Sequence, residues 1–173
     1  MERSWIYETN ADNSARFVLG TVGQNPLVCF GVNPSTAEPG ALDQTVTKVA
    51  GFASRNGYDS WVMLNLYPQR STDPNGMHLQ PDPDLQAQNE RQIDEFIGGR
   101  TLSLLAAWGG VITKRSYLPQ MLANIVKIAD RSSCEWNSIG DPIAAGHPRH
   151  PSRPGYATPL QRFDTGVYLR RLK

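Results

Sequence analysis

Cysteine is nearly absent. Cys29 and Cys134 are the only two, too few for a disulfide framework or a cysteine-rich zinc site. Long apolar runs are missing as well: none approaches the ~18 residues of a membrane-spanning helix, so no membrane partner is expected. Met1 to Asn10 lacks the apolar core of a secretory signal. With so few cysteines, this fits a reducing cytoplasm. There is no Gly-rich phosphate loop and no dinucleotide fingerprint, which sets kinases and dehydrogenases aside. Repeats and low-complexity segments are lacking too.

The 173 residues, 39% hydrophobic and 19% charged, suit one globular domain spanning 1–173. The net charge of +1 is unevenly spread. After residue 146, Arg149, Arg153, Arg162, Arg170, Arg171 and Lys173 face only Asp164. A basic C-terminal segment on a mildly acidic body points to an anionic partner; a solvated tail is the plain alternative.

The apolar pattern alternates. Arg16–Val22 reads as a first, edge strand. Pro26–Val32 is a continuous apolar run, as in strands buried on both faces. A helix follows over 44–56, with Val46, Val49, Ala50 and Ala53 at helical spacing, Asp43 at its start and Gly57 at its end. Trp61–Leu66 is a second buried strand. Asp82-Pro83 opens a helix reaching Ile97. Thr101–Ala107 is a third strand. Leu118, Met121, Leu122, Ile125 and Val126 mark a helix over 115–129. Glu135–Ile139 is a fourth strand, and the chain beyond Gly140 reads as irregular. This order predicts an α/β fold, a three-layer α/β/α arrangement around a mainly parallel sheet. Ligands of such sheets bind beyond the carboxyl ends of the strands. Four polar, Gly- or Pro-marked segments fall there: Gly31–Thr36, Asn65–Arg70, Ala107–Gly110 and Gly146–Ser152.

Several of these residues carry chemistry. Asn33, held extended by Pro34, can orient a water, while Ser35 and Thr36 can bind a ligand or satisfy the turn. Asp43 reads first as a helix cap and second as a general base. Asn65 offers the donor and acceptor of an amide to a nucleobase edge. Tyr67 either stacks on a base or packs in the core. Arg70 either holds a phosphate or pairs with Asp73. His147 and His150 invite a metal reading, for which Asp141 and His78 are possible further ligands, but a histidine donating to a developing oxyanion fits better. No metal and no cofactor are expected.

Two resemblances emerge from these strings. Asn33-Pro34-Ser35-Thr36-Ala37, Asp43-Gln44-Thr45, Ala106-Ala107-Trp108-Gly109 and Gly146-His147-Pro148-Arg149-His150-Pro151 look like an uncharacterised bacterial and phage family of unknown function. More remotely, Gly31-Val32-Asn33-Pro34, Met63-Leu64-Asn65, Leu104–Gly109 and His150-Pro151-Ser152 resemble, in order, the motifs of the uracil-DNA glycosylase superfamily. That likeness implies a glycosylase-like fold in which Asn33 positions the attacking water and Asn65 reads the base. His150, or His147 in its place, stabilises charge on the leaving base. Ser35, Thr36, Tyr67, Arg70, Trp108, Arg149, Ser152 and Arg153 would bind a nucleic acid or nucleotide. The expected activity is therefore hydrolysis of an N-glycosidic bond. A catalytically inactive nucleotide- or nucleic-acid-binding module of the same fold and a metal-assisted hydrolase are the alternatives. No protein partner is indicated.

Overall fold

The computed structural model describes residues 4–172. Its strands are β1 (Trp5–Thr9), β2 (Arg16–Thr21), β3 (Pro26–Gly31), β4 (Ser60–Asn65), β5 (Ser103–Ala106), β6 (Glu135–Ile139) and β7 (Leu160–Arg162). Its α-helices are α1 (Gln44–Arg55), α2 (Pro83–Ile97), α3 (Leu118–Arg131) and α4 (Thr165–Arg171), with 3-10 turns at Pro74–Gly76 and Gly109–Lys114. The strands form one seven-stranded sheet in the order β1-β2-β4-β3-β5-β6-β7. The centre is parallel, pairing β4 with β3, β3 with β5 and β5 with β6. The flanking pairs β1–β2, β2–β4 and β6–β7 are antiparallel. The fold is thus mixed α/β with a sheet parallel in its centre.

The apolar runs explain the centre. β4 is buried throughout, and β3 in all but its last residue. Their alternate side chains feed two separate buried clusters. Leu27, Cys29 and Met63 pack with Val46, Val49 and Phe52 of α1. Val28, Phe30 and Leu64 pack with Ile93 of α2 and Leu122 of α3. The chain steps from β3 to β4 on one side, then crosses to β5 on the other, so the strand order turns at β3. A crevice opens at such a turning point, beyond the strand ends. Caps sharpen the helix starts: Asp43 accepts from Val46 N–H at 2.8 Å, and Asp82 accepts from the N–H of Asp84 at 2.9 Å.

Four expectations need correction. The strand at Arg16 is neither first nor at the edge; β1 covers it, and β2 is buried along its whole length. β1 escapes the sequence pattern because its residues are mostly half-buried and do not alternate cleanly. The chain beyond Gly140 is not all irregular, since it returns as β7 and α4, three and seven residues long. Elements that short carry no readable periodicity. The helix expected over 115–129 begins at Leu118, because residues 109–114 first form a 3-10 turn. The third strand is shorter than expected, running over Ser103–Ala106. Among the described residues, no helix is long and apolar enough to cross a membrane.

Candidate functional site

A cavity of about 330 Å³ opens at the turning point of the sheet. Gly31–Ser35 from the end of β3, Asn65 from β4, Ala107 and Trp108 after β5, the first turn of α1, and His150-Pro151 all contribute to its wall. Asn33, Asn65 and His150, far apart in sequence, thus meet in one place.

Asn65 is the most unusual of these. It is 2% exposed, and its Nδ2 is buried without a hydrogen-bond partner. Its backbone is well held, with Asn89 Nδ2 donating to its carbonyl at 2.9 Å. Gly31 stands beside it in the adjacent strand. A Cβ there would lie 3.0 Å from Asn65 Oδ1, so glycine keeps the amide clear. An idle buried N–H₂ is costly unless a ligand accepts from it.

Asn33 is oriented by its own amide. Nδ2 donates to the carbonyls of Pro34, Gln69 and Ser71 at 3.1, 3.3 and 3.0 Å. Its Oδ1 accepts no hydrogen bond among the described residues, which leaves an acceptor on a fixed side chain. Asp43 keeps the cap role expected of it and also lines the cavity.

His150 is oriented by Ser152. The backbone N–H of Ser152 donates to Nδ1 at 3.3 Å, and Ser152 Oγ lies 2.7 Å from the same nitrogen. Accepting through Nδ1 places the proton of the neutral ring on Nε2. Burial pushes the pKa of His150 down, helped by Arg153 and opposed by Asp43, so the ring favours its neutral form. The turn at Gly109, with φ +58°, brings the chain after β5 beside this histidine. Cys29 also lines the cavity, but burial pushes its thiol up, away from a reactive thiolate.

Other candidates lie elsewhere. His147 lines a separate cavity with Phe163, Val167 and Tyr168. Trp108 Nε1 donates to Tyr168 Oη at 2.9 Å, and the same Oη is hydrogen-bonded to His147 Nδ1 at 2.7 Å. The two histidines therefore do not converge. Among the described residues, no three His, Cys, Asp or Glu side chains cluster as a metal site. Tyr67 is fully buried and off the cavity, its Oη 2.6 Å from His78 Nδ1. Arg70 binds neither Asp73 nor the cavity; it turns inward to the carbonyls of Ser35 and Ala37 and to Tyr7 Oη. Thr36 is exposed, outside the lining. Arg149 and Arg153 flank a separate surface hollow with Pro154. Ser35 and Trp108 do line the main cavity, whereas Ser152 reaches it only through His150.

One residue was missed by sequence reasoning. Arg16, 2% exposed, lines the cavity from the start of β2. Because β2 runs antiparallel to β4, its beginning shares the edge where β3, β4 and β5 end. The signal was an arginine opening an otherwise apolar strand.

Residues 16–152 match the model of a family described as a protein of unknown function, DUF1643. The chain belongs to this family. No curated protein and no solved structure matches it.

Proposed function

We propose that this chain is a nucleobase-directed enzyme that hydrolyses an N-glycosidic bond, in a nucleotide or in DNA. The observation that carries this reading is the idle buried amide of Asn65 in one cavity with Asn33, whose Oδ1 has no partner among the described residues, and with His150, whose Nδ1 is taken by Ser152. An amide presents adjacent donor and acceptor groups, the complement of a nucleobase edge. Asn33 Oδ1 accepts from the attacking water. The water oxygen bonds to the anomeric carbon, the carbon–nitrogen bond breaks, and its electron pair leaves with the base. His150 donates from Nε2 to the charge that develops there. Asp43 Oδ2, left over from capping, takes the proton of the water. The two buried clusters, one carrying α1 and the other α2 and α3, support a three-layer arrangement remotely like the uracil-DNA glycosylases.

The test is mass spectrometry of free bases released from a panel of nucleotides and modified DNAs. Release of a base by the wild-type chain supports the reading. Binding without release would reassign the chain to a nucleotide-binding module.

A further inference from the structure

Arg16 has more donors than its surroundings use. Nη1 donates to the carbonyl of Ala37 at 3.1 Å. Nε is buried with no partner, and Nη2 makes no hydrogen bond among the described residues. Arg70 Nη1 approaches the same carbonyl at 3.3 Å. Among the described residues, the only ion pair is Arg131–Asp94, far from both in sequence. The charged and titratable groups acting on Arg16 are Arg70, Asp43 and Tyr7. Arg16 thus feels a second guanidinium and one carboxylate, Asp43, which is not within ion-pair distance of it and already caps α1 through Oδ1. Burying a cation without a paired anion is expensive.

A second set of donors faces the same space. Gln44 and Thr45 open α1 and line the cavity, and their N–H groups bond to nothing among the described residues. A helix start of this kind favours an anion, and a guanidinium beside it favours the oxygens of a phosphate or carboxylate.

Depth decides where such an anion comes from. A nucleotide flipped out of duplex DNA buries its base, while its phosphodiesters stay at the rim with the strand. Arg16 lies deeper than that. Together with Cys29, Met63 and Asn65 it belongs to the part of the lining that is under 5% exposed, whereas Asn33, Ser35 and His150 are only partly buried. A free nucleotide carries its phosphate in with it, and the cavity volume of about 330 Å³ is of small-ligand size.

We infer that Arg16, with the first turn of α1, holds the phosphate of a free nucleoside monophosphate, and that this small nucleotide, not duplex DNA, is the substrate class of the cavity. The inference rests on the nucleobase reading above.

Calorimetric titration of the full chain tests it, using nucleoside monophosphates, the matching nucleosides, ribose 5-phosphate, inorganic phosphate and acetate as probes. A monophosphate should bind about tenfold or more tighter than its nucleoside, and inorganic phosphate should compete with it. Arg16→Met should erase the difference while nucleoside affinity is kept. If that variant does not fold, the wild-type comparison and the phosphate competition decide alone. Equal affinity for nucleoside and monophosphate without phosphate competition would overturn the inference, and so would acetate competing better than phosphate. Ribose 5-phosphate binding as tightly as the monophosphate would uphold Arg16 and overturn the nucleobase reading. Base release from duplex DNA without monophosphate binding would do the reverse.

Discussion

Ser152 fixes the tautomer of His150: its backbone N–H and its hydroxyl both meet Nδ1, at 3.3 and 2.7 Å. The N–H of the neutral ring is therefore on Nε2, the side proposed to face the leaving base. Long-range ¹H–¹⁵N NMR should show this tautomer for His150 at neutral pH. Ser152→Ala removes the hydroxyl but not the backbone donor. It should slow base release about tenfold, less than loss of the ring itself. A His150 protonated on Nδ1 would contradict the assignment.

The pH dependence follows from burial. His150 and His147 both titrate below the ordinary value of 6.5, chiefly because burial penalises their charged forms. As pH falls through 6.5 the unfolded chain takes up these protons before the folded one does. Stability should therefore fall with pH from about 6.5 down to the lowered values and level off below them. Urea midpoints across this range check it, and His150→Gln should flatten the slope. The acid limb of base release should lie below 6.5 as well. A limb above 6.5 would mean that His150 acts in another form.

Asn65 should show opposite effects on stability and activity. Its Nδ2 is buried without a partner in the ligand-free chain, so an apolar side chain of similar shape removes a desolvation penalty. Asn65→Leu should stabilise the fold by about 1 kcal/mol in urea denaturation and abolish discrimination between bases. A purely structural asparagine would instead lose stability.

The segment after His150 is latched to α1. The Tyr156 ring lies 5.2 Å from Phe52, with Lys48 Nζ at 4.4 Å and the Arg55 guanidinium at 3.8 Å from its centre. Lys48 Nζ also donates to the carbonyl of Pro154 at 2.5 Å. Tyr156→Ala should cost about 1–2 kcal/mol and slow base release by loosening His150. A Cβ at Gly51 would stand 2.4 Å from the same ring. Gly51→Ala should displace Tyr156 while gaining ~1 kcal/mol of helix propensity. It should therefore leave stability nearly unchanged and still lower kcat. Unchanged kcat in both variants would refute the latch.

The parallel centre was legible because β3 and β4 are uninterrupted apolar runs, and α3 because its stripe from Leu118 to Val126 repeats at helical spacing. Asn33 and Asn65 were legible as polar residues ending such runs. Arg16 was not, since the antiparallel pairing that brings the start of β2 to the site is a property of the sheet and leaves no local pattern. Nor does sequence separate His147 from His150, three positions apart in one Pro-rich loop, which open onto different cavities. Tyr67 and Arg70 looked functional by type and position. Packing turned both inward, where Tyr67 Oη meets His78 and Arg70 Nη1 donates to the carbonyls of Ser35 and Ala37.

Single-turnover base release from the best-bound nucleotide, compared among wild type, Asn33→Ala and His150→Ala, tests the central claim most directly. An oriented water and an oxyanion donor matter most in the transition state. Each substitution should slow release by about 10²-fold or more while dissociation constants stay within a few-fold. No free base from the wild-type chain, or release that neither substitution slows, would contradict it.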